Sequence, residues 1–170
     1  MKKILIVVDM QKDFIDGALG SPEAQGIVEN VKKKVESFDG AVVFTLDTHG
    51  EDYLKTQEGK KLPIPHCIKG APGWEIHPDL TGFAKNRIEK PTFGAVSLPG
   101  YICDLLGGEP EQIELVGLCT DICVISNAML LKAAFPEAKI VVDSSCCAGV
   151  TPKSHQTALD SMGAVQIEVL

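Results

Sequence analysis

The chain has no apolar run long enough to cross a bilayer, which argues against a membrane-spanning protein. It also lacks a cluster of lysine and arginine. The net charge is −7 and nothing gathers the positive charge needed to neutralise phosphates, so nucleic acid is not an expected partner. The one basic run, Lys32-Lys33-Lys34, falls in a predicted helix and reads as a solvated face. There is no internal repeat, low-complexity tract or long linker, and 170 residues at 45% hydrophobic composition suit one domain over residues 1–170. No Cys-x-x-Cys occurs among the six cysteines, and their spacing matches no zinc site, which argues against a metal-binding or thiol-redox module built on them. A chain this large and apolar needs no disulfide staples, so the thiols read as reduced and the expected compartment is the cytoplasm. Met1-Lys2-Lys3 leads straight into a strand-like run and not into a signal peptide.

What is present is an alternation. Residues 3–8, 41–46, 87–90, 112–116, 139–143 and 164–170 read as strands, the first of them a continuous apolar run of the kind buried on both faces of a parallel sheet. Residues 24–38 carry Ile27, Val28, Val31 and Val35 at helical spacing, and 98–106, 124–132 and 152–162 also read as helices. The expected fold is a three-layer α/β/α sandwich around a mostly parallel, Rossmann-like sheet of about six strands. Residues 50–79 break the alternation with Lys, Glu, Gln, Gly and Pro. A stretch of this length without a clear element reads as a functional loop, and Tyr53, His66, Trp74 and His77 lie within it. His77 and His155 are expected to be structural or exposed.

Right-handed crossovers bring the chain positions after Val8, Leu46, Glu89 and Val116 to one sheet edge. That edge gathers Asp9, Asp47 with His49, Lys90 and Cys123. Cys123 falls at a strand-to-helix turn, where Thr120 or Asp121 is expected to cap the helix and free N–H groups favour thiolate and stabilise an oxyanion. A carboxylate beside a thiol can act as base and then as acid, and a nearby lysine stabilises the charges. Asp47-x-His49, with His66, forms a carboxylate–imidazole set suited to a divalent metal. Taken alone, Asp-x-His is explained equally well by polar residues that simply face water.

Five spaced motifs narrow the reading: Val8-Asp9-Met10-Gln11-Lys12-Asp13-Phe14; Asp47-Thr48-His49; Pro65-His66-Cys67 with Gly70-Ala71-Pro72-Gly73 and His77-Pro78; Lys90-Pro91-Thr92-Phe93; and Gly117-Leu118-Cys119-Thr120-Asp121-Ile122-Cys123-Val124. In this order and over nearly the whole chain, the sequence resembles the isochorismatase-like cysteine hydrolases, and among them the nicotinamidases. The resemblance implies a catalytic triad of Asp9, Lys90 and Cys123, and a divalent metal (zinc foremost, iron or manganese otherwise) held by Asp47, His49 and His66. It also implies a cis Leu118–Cys119 bond that aims the Cys119 N–H, with that of Cys123, at an oxyanion. The implied partner is a small-molecule amide, hydrolysed through a Cys123 thioester, which for nicotinamide belongs to NAD salvage; family habit adds a homo-oligomer. Phe14 and Phe93 are expected against the substrate ring. Cys119 stands where alanine is common, and Pro63 where several relatives carry an aromatic residue, so Trp74 or Tyr53 is expected to supply a ring wall. The competing activities are a related amidase on a ureido or carbamoyl compound or maleamate, and an isochorismatase, against which Cys123 argues.

Overall fold

The computed structural model describes residues 1–170. Six strands, β1 (Lys3–Val8), β2 (Ala41–Asp47), β3 (Arg87–Lys90), β4 (Gln112–Leu118), β5 (Lys139–Ala148) and β6 (Glu168–Val169), form one parallel sheet in the order β3-β2-β1-β4-β5-β6. Eight helices flank it: α1 (Lys12–Ile15), α2 (Pro22–Gly26), α3 (Val28–Ser37), α4 (Gln57–Lys61), α5 (Pro78–Thr81), α6 (Leu98–Leu106), α7 (Ile125–Ala134) and α8 (Pro152–Ala164). None is long and apolar enough to cross a membrane.

The continuous apolar run of β1 has a direct cause. Successive strand residues face opposite sides, and Ile4, Ile6 and Val8 join one core cluster while Leu5 and Val7 join the other. The first cluster packs under α6, α7 and α8, and the second under α1, α2, α3 and α5. The chain winds outward from β1 through β2 to β3, then returns to β4 on the other side of β1. Between β1 and β4 the winding direction reverses, and in such sheets ligands bind at the carboxyl ends of the strands there.

Gly117 sets the close approach of these two strands. It has φ of 116°, and a Cβ on it would stand 2.2 Å from the carbonyl oxygen of Val8. No side chain fits there.

Several boundaries differ from the sequence reading. The helix expected over 24–38 is two, because Ser21 starts a separate α2 by accepting the Ala24 N–H at 3.0 Å, and the chain turns at Ile27. Strand β5 continues five residues beyond Asp143, through small and polar residues that read as loop, with a register shift opposite Leu115 and Gly117. The last strand is cut to Glu168–Val169, since α8 runs on to Ala164 and Gln166 takes φ of 67°. Residues 50–79 are not structureless. They contain α4, the first two residues of α5 and two 3-10 turns, Tyr53–Lys55 and Pro72–Trp74. Their return leg is fastened to the start of the chain: Lys12 N–H donates to Glu75 O and His77 N–H to Met10 O, each at 2.9 Å.

Candidate active site

Four strand ends deliver Asp9, Asp47, Lys90 and Cys123 to one buried spot. Asp9 directly follows β1 and takes φ of 47°, a left-handed conformation that aspartate tolerates better than most residues. The turn is held by Thr45, whose hydroxyl donates to Asp9 Oδ1 at 2.6 Å. Lys90 ends β3 in register with Asp47 of β2. Its Nζ stands 2.7 Å from Asp9 Oδ2 and 3.3 Å from Cys123 Sγ, with Asp47 Oδ1 at 3.5 Å and the Thr92 carbonyl at 3.0 Å. All four side chains are buried. Although Asp9 Oδ2 touches the ammonium, it has no aligned hydrogen bond and keeps a lone pair free.

The electrostatics follow from burial. Desolvation raises the Asp9 carboxyl above its usual range despite the opposing Lys90 charge, and Asp47 adds to the rise. Burial would lower Lys90, but the charges of Asp9, Cys123 and Asp47 outweigh it and keep the ammonium protonated. The Cys123 thiol is pushed well up by burial and then by the Asp9 carboxylate, with Lys90 only partly offsetting both. Burial and the Asp9 charge thus work against the thiolate that the helix-terminal N–H groups favour. Dipoles at a helix start stabilise an anion by about 1 kcal/mol, less than the cost of enclosing the charge beside a carboxylate.

The turn carrying Cys123 is one wide π-helical turn, Thr120–Val124, that leads into α7. The expected cap by Thr120 or Asp121 is not made. The Thr120 hydroxyl pairs with His155 Nδ1 at 2.7 Å and Asp121 Oδ1 accepts the Val150 N–H at 3.1 Å, so both side chains face the α8 side. The Leu118–Cys119 peptide is cis, and the Cys119 N–H has no hydrogen-bond partner. His155 and His77, which accepts from Asp79 N–H at 3.4 Å, have structural partners.

A second group adjoins the first. One ligand atom each from Asp47, His49, Glu58 and His66 lies within 4.8 Å of all the others. The His66 Nδ1–H donates to the Ile64 carbonyl at 2.8 Å, which turns Nε2 toward Asp47 Oδ2 at 3.5 Å and Glu58 Oε1 at 3.8 Å. His49 Nε2 is 2.9 Å from Asp47 Oδ2 and 3.7 Å from Glu58 Oε1. Burial opposes ionisation of Asp47, but hydrogen bonds from His49 and His66 and the charge of Lys90 hold it well below the carboxylate range. Two carboxylates and two imidazoles, clustered and enclosed, fit a divalent cation of borderline hardness. Sequence reasoning missed Glu58. The available signal was Thr56, which caps α4 by accepting the Gly59 N–H at 3.0 Å and so puts Glu58 in the first turn of a short helix.

Both groups border a cavity of about 470 Å³ lined mainly by apolar side chains, including Phe14, Leu19, Leu62, Phe93, Leu118, Ile122 and Val150. Asp47, Glu58, His66, Cys119 and Cys123 provide its polar side. Trp74, expected as a ring wall, lies outside this cavity: its indole N–H donates to Thr48 Oγ1 at 2.9 Å, and it lines a separate cavity with Lys12 and Glu75. Tyr53 is buried behind the cluster, its ring 4.8 Å from that of His49 and 5.0 Å from that of His66.

Residues 3–170 match the isochorismatase domain model. The crystal structure of nicotinamidase/pyrazinamidase from Bacillus subtilis is similar to this chain at 30% identity, covering 99% of each, with a TM-score of 0.81. That of pyrazinamidase from Pyrococcus horikoshii in complex with zinc is similar at 26% identity and TM-score 0.82, covering 100% of this chain and 99% of that one. N-carbamoylsarcosine amidase from Thermoplasma acidophilum is similar at 26% identity and TM-score 0.77, covering 99% and 95%. With a family match over almost its full length and these neighbours on the same sheet, the chain belongs to the isochorismatase family.

Proposed function

We propose that this family member is an amidohydrolase that converts nicotinamide to nicotinate and ammonia through a thioester on Cys123. One observation carries the reading: Lys90 Nζ bridges Asp9 Oδ2 at 2.7 Å and Cys123 Sγ at 3.3 Å at the edge of an apolar cavity. Asp9, raised by burial and with a free lone pair, takes the thiol proton as sulfur attacks the amide carbon. The buried Lys90 ammonium compensates the negative charge that passes from Asp9 to the sulfur. The unpartnered Cys119 N–H, with that of Cys123, is the donor for the oxyanion. Asp9 returns its proton to the departing ammonia, then activates the water that cleaves the thioester. Phe14 and Phe93 border the cavity where an aromatic ring would lie.

Asp47, His49, Glu58 and His66 would hold the metal, and the zinc named in the Pyrococcus structure supports that ion as the first choice. When bound there, a divalent cation supplies a Lewis acid able to accept an electron pair from a ring nitrogen and so orient the substrate.

The test is ammonia release from nicotinamide before and after treatment with iodoacetamide. Release that disappears as Cys123 is alkylated is expected, and release that survives complete alkylation refutes the thioester route. The likeness to N-carbamoylsarcosine amidase favours the second reading, hydrolysis of a carbamoyl amide. Turnover of such a compound without turnover of nicotinamide selects it.

A further inference from the structure

We propose that Gln11 and Asp13 are positioning residues that hold the two halves of the metal-ligand set at their working separation, Gln11 through the backbone of Asp47 and Asp13 through the backbone that follows His66. The proposal rests on the reading above, in its assignment of Asp47, His49, Glu58 and His66 as ligands.

Pairing between β1 and β2 ends at Val8 and Thr45, because Asp9 turns the chain away. Two residues further on, the fully buried Gln11 carboxamide takes the place of the missing strand peptide. Its Oε1 accepts the Asp47 N–H and its Nε2 donates to the Asp47 carbonyl, both at 2.8 Å. The same Nε2 donates to the Trp74 carbonyl at 2.8 Å, so both amide hydrogens are used and the return leg of the loop is tied to Asp47. Asp13 does the corresponding work on the other half. Its Oδ2 accepts the Cys67 N–H at 2.8 Å and its Oδ1 the Ala18 N–H at 3.3 Å. Cys67 needs such a hold, since it is buried with φ of 46°, a left-handed value that a non-glycine residue adopts only when its surroundings fix it. The turn at Gly73 closes directly over the Asp13 carboxylate, where a Cβ would come within 2.2 Å of it. Neither Gln11 nor Asp13 borders the cavity or supplies a ligand atom, so their influence runs through Asp47 and His66. Partners of this kind typically change metal affinity by about 10- to 100-fold when removed.

The test is zinc affinity of the metal-free protein, measured by competition with a chromophoric chelator, alongside the thermal midpoint. Gln11→Met and Asp13→Ala are expected to weaken zinc binding by about 10- to 100-fold. Asp13→Asn, which can still offer an oxygen to Cys67, is expected to keep most of the affinity. A purely structural role is separated by Lys34→Met, which removes a salt bridge to β4 and β5 remote from the ligands. At a matched loss of thermal stability it is expected to leave zinc affinity unchanged. Equal weakening by Lys34→Met, or unchanged affinity in Gln11→Met and Asp13→Ala, overturns the proposal. If neither truncation folds, Gly73→Ala decides, since it keeps both side chains and displaces only the carboxylate; zinc binding as tight as in the unaltered protein then overturns the role. An unaltered protein that binds no zinc overturns the ligand assignment as well, whereas unchanged variants of a zinc-binding protein overturn the positioning role alone.

Discussion

Replacing Asp9 by asparagine should make Cys123 a stronger acid and a worse catalyst at once. The Asp9 Oδ2 and Cys123 Sγ atoms both touch Lys90 Nζ, at 2.7 Å and 3.3 Å, so they stand no more than about 6 Å apart. At that distance and an effective dielectric of about 20, one negative charge disfavours another by about 3 kcal/mol. Removing it favours the thiolate by about that much, so the thiol pKa falls. Asparagine preserves the shape and can still accept the Thr45 hydroxyl, and the Lys90 ammonium remains compensated by Asp47 and by the thiolate it now favours. The variant should therefore fold. Peptide-resolved alkylation of Cys123 by iodoacetamide, followed against pH, should show its midpoint move down. Turnover should fall by about 10²- to 10⁴-fold, because nothing remains to carry the proton to ammonia. A midpoint that stays or rises refutes the assigned electrostatics, and retained turnover refutes Asp9 as the base.

Other perturbations test separate parts of the structure. Glu58→Gln should lower zinc affinity by about tenfold while leaving the thermal midpoint of the metal-free protein close to the original, checked by chelator competition and calorimetry. Asn127→Ala removes a fully buried amide that accepts the Ala95 N–H at 2.9 Å and donates to the Phe93 and Cys123 carbonyls at 3.2 and 2.8 Å. Leaving those groups unpaired should cost about 3 kcal/mol in denaturant unfolding and raise KM through the loosened Phe93 wall. Lys34 pairs with Glu114 at 2.6 Å and Asp143 at 2.7 Å, both largely buried, so Lys34→Met should destabilise by about 2 kcal/mol, less than a fully enclosed pair. Burial works against ionised Asp143, but hydrogen bonds from Lys34 and Ser145 outweigh it and hold the carboxyl below its usual range. Its contribution is thus complete above about pH 4 and is lost as the pH falls through the depressed folded-state value. The stability gap between the unaltered protein and Lys34→Met should narrow on acidification, and a gap that widens contradicts the sign.

The strands were legible because parallel strands buried on both faces leave continuous apolar runs, and the chemically pointed residues stand immediately after them. Asp9, Asp47, Lys90 and Cys123 could be brought to one edge from winding rules alone. The loop residues had no such signal. Glu58 sits among Lys, Gly and Gln on a five-residue helix whose composition is that of a solvated turn, and its role comes from contacts with His49 and His66. Trp74 or Tyr53 is expected as a ring wall because Pro63 stands where several relatives carry an aromatic residue, but one hydrogen bond to Thr48 decides the direction of Trp74. The balance of forces on the Cys123 thiol was hidden for a different reason. Helix position can be read from sequence, whereas desolvation depends on how completely the neighbouring strands enclose the sulfur.

Asp47 shows why the two groups at this edge cannot be treated as independent. Its Oδ1 stands 3.5 Å from Lys90 and its Oδ2 faces His49 and His66 at 2.9 and 3.5 Å, so a single carboxylate belongs to both. Lys90 therefore has two buried carboxylates against one ammonium, Asp9 and Asp47, before the sulfur is counted. That excess of negative charge adds to the effect of burial in pushing the Cys123 thiol up. Cation binding beside Asp47 would offset one of these charges without touching Asp9 or Cys123 directly. The parallel sheet makes the arrangement possible: adjacent strands β3, β2, β1 and β4 deliver Lys90, Asp47, Asp9 and Cys123 in spatial order, at about 4.8 Å per strand. The hydrogen-bonded ladder fixes where each chain position stands, and the long Lys90 side chain closes the rest of the distance, reaching across β2 to touch Asp9 at 2.7 Å.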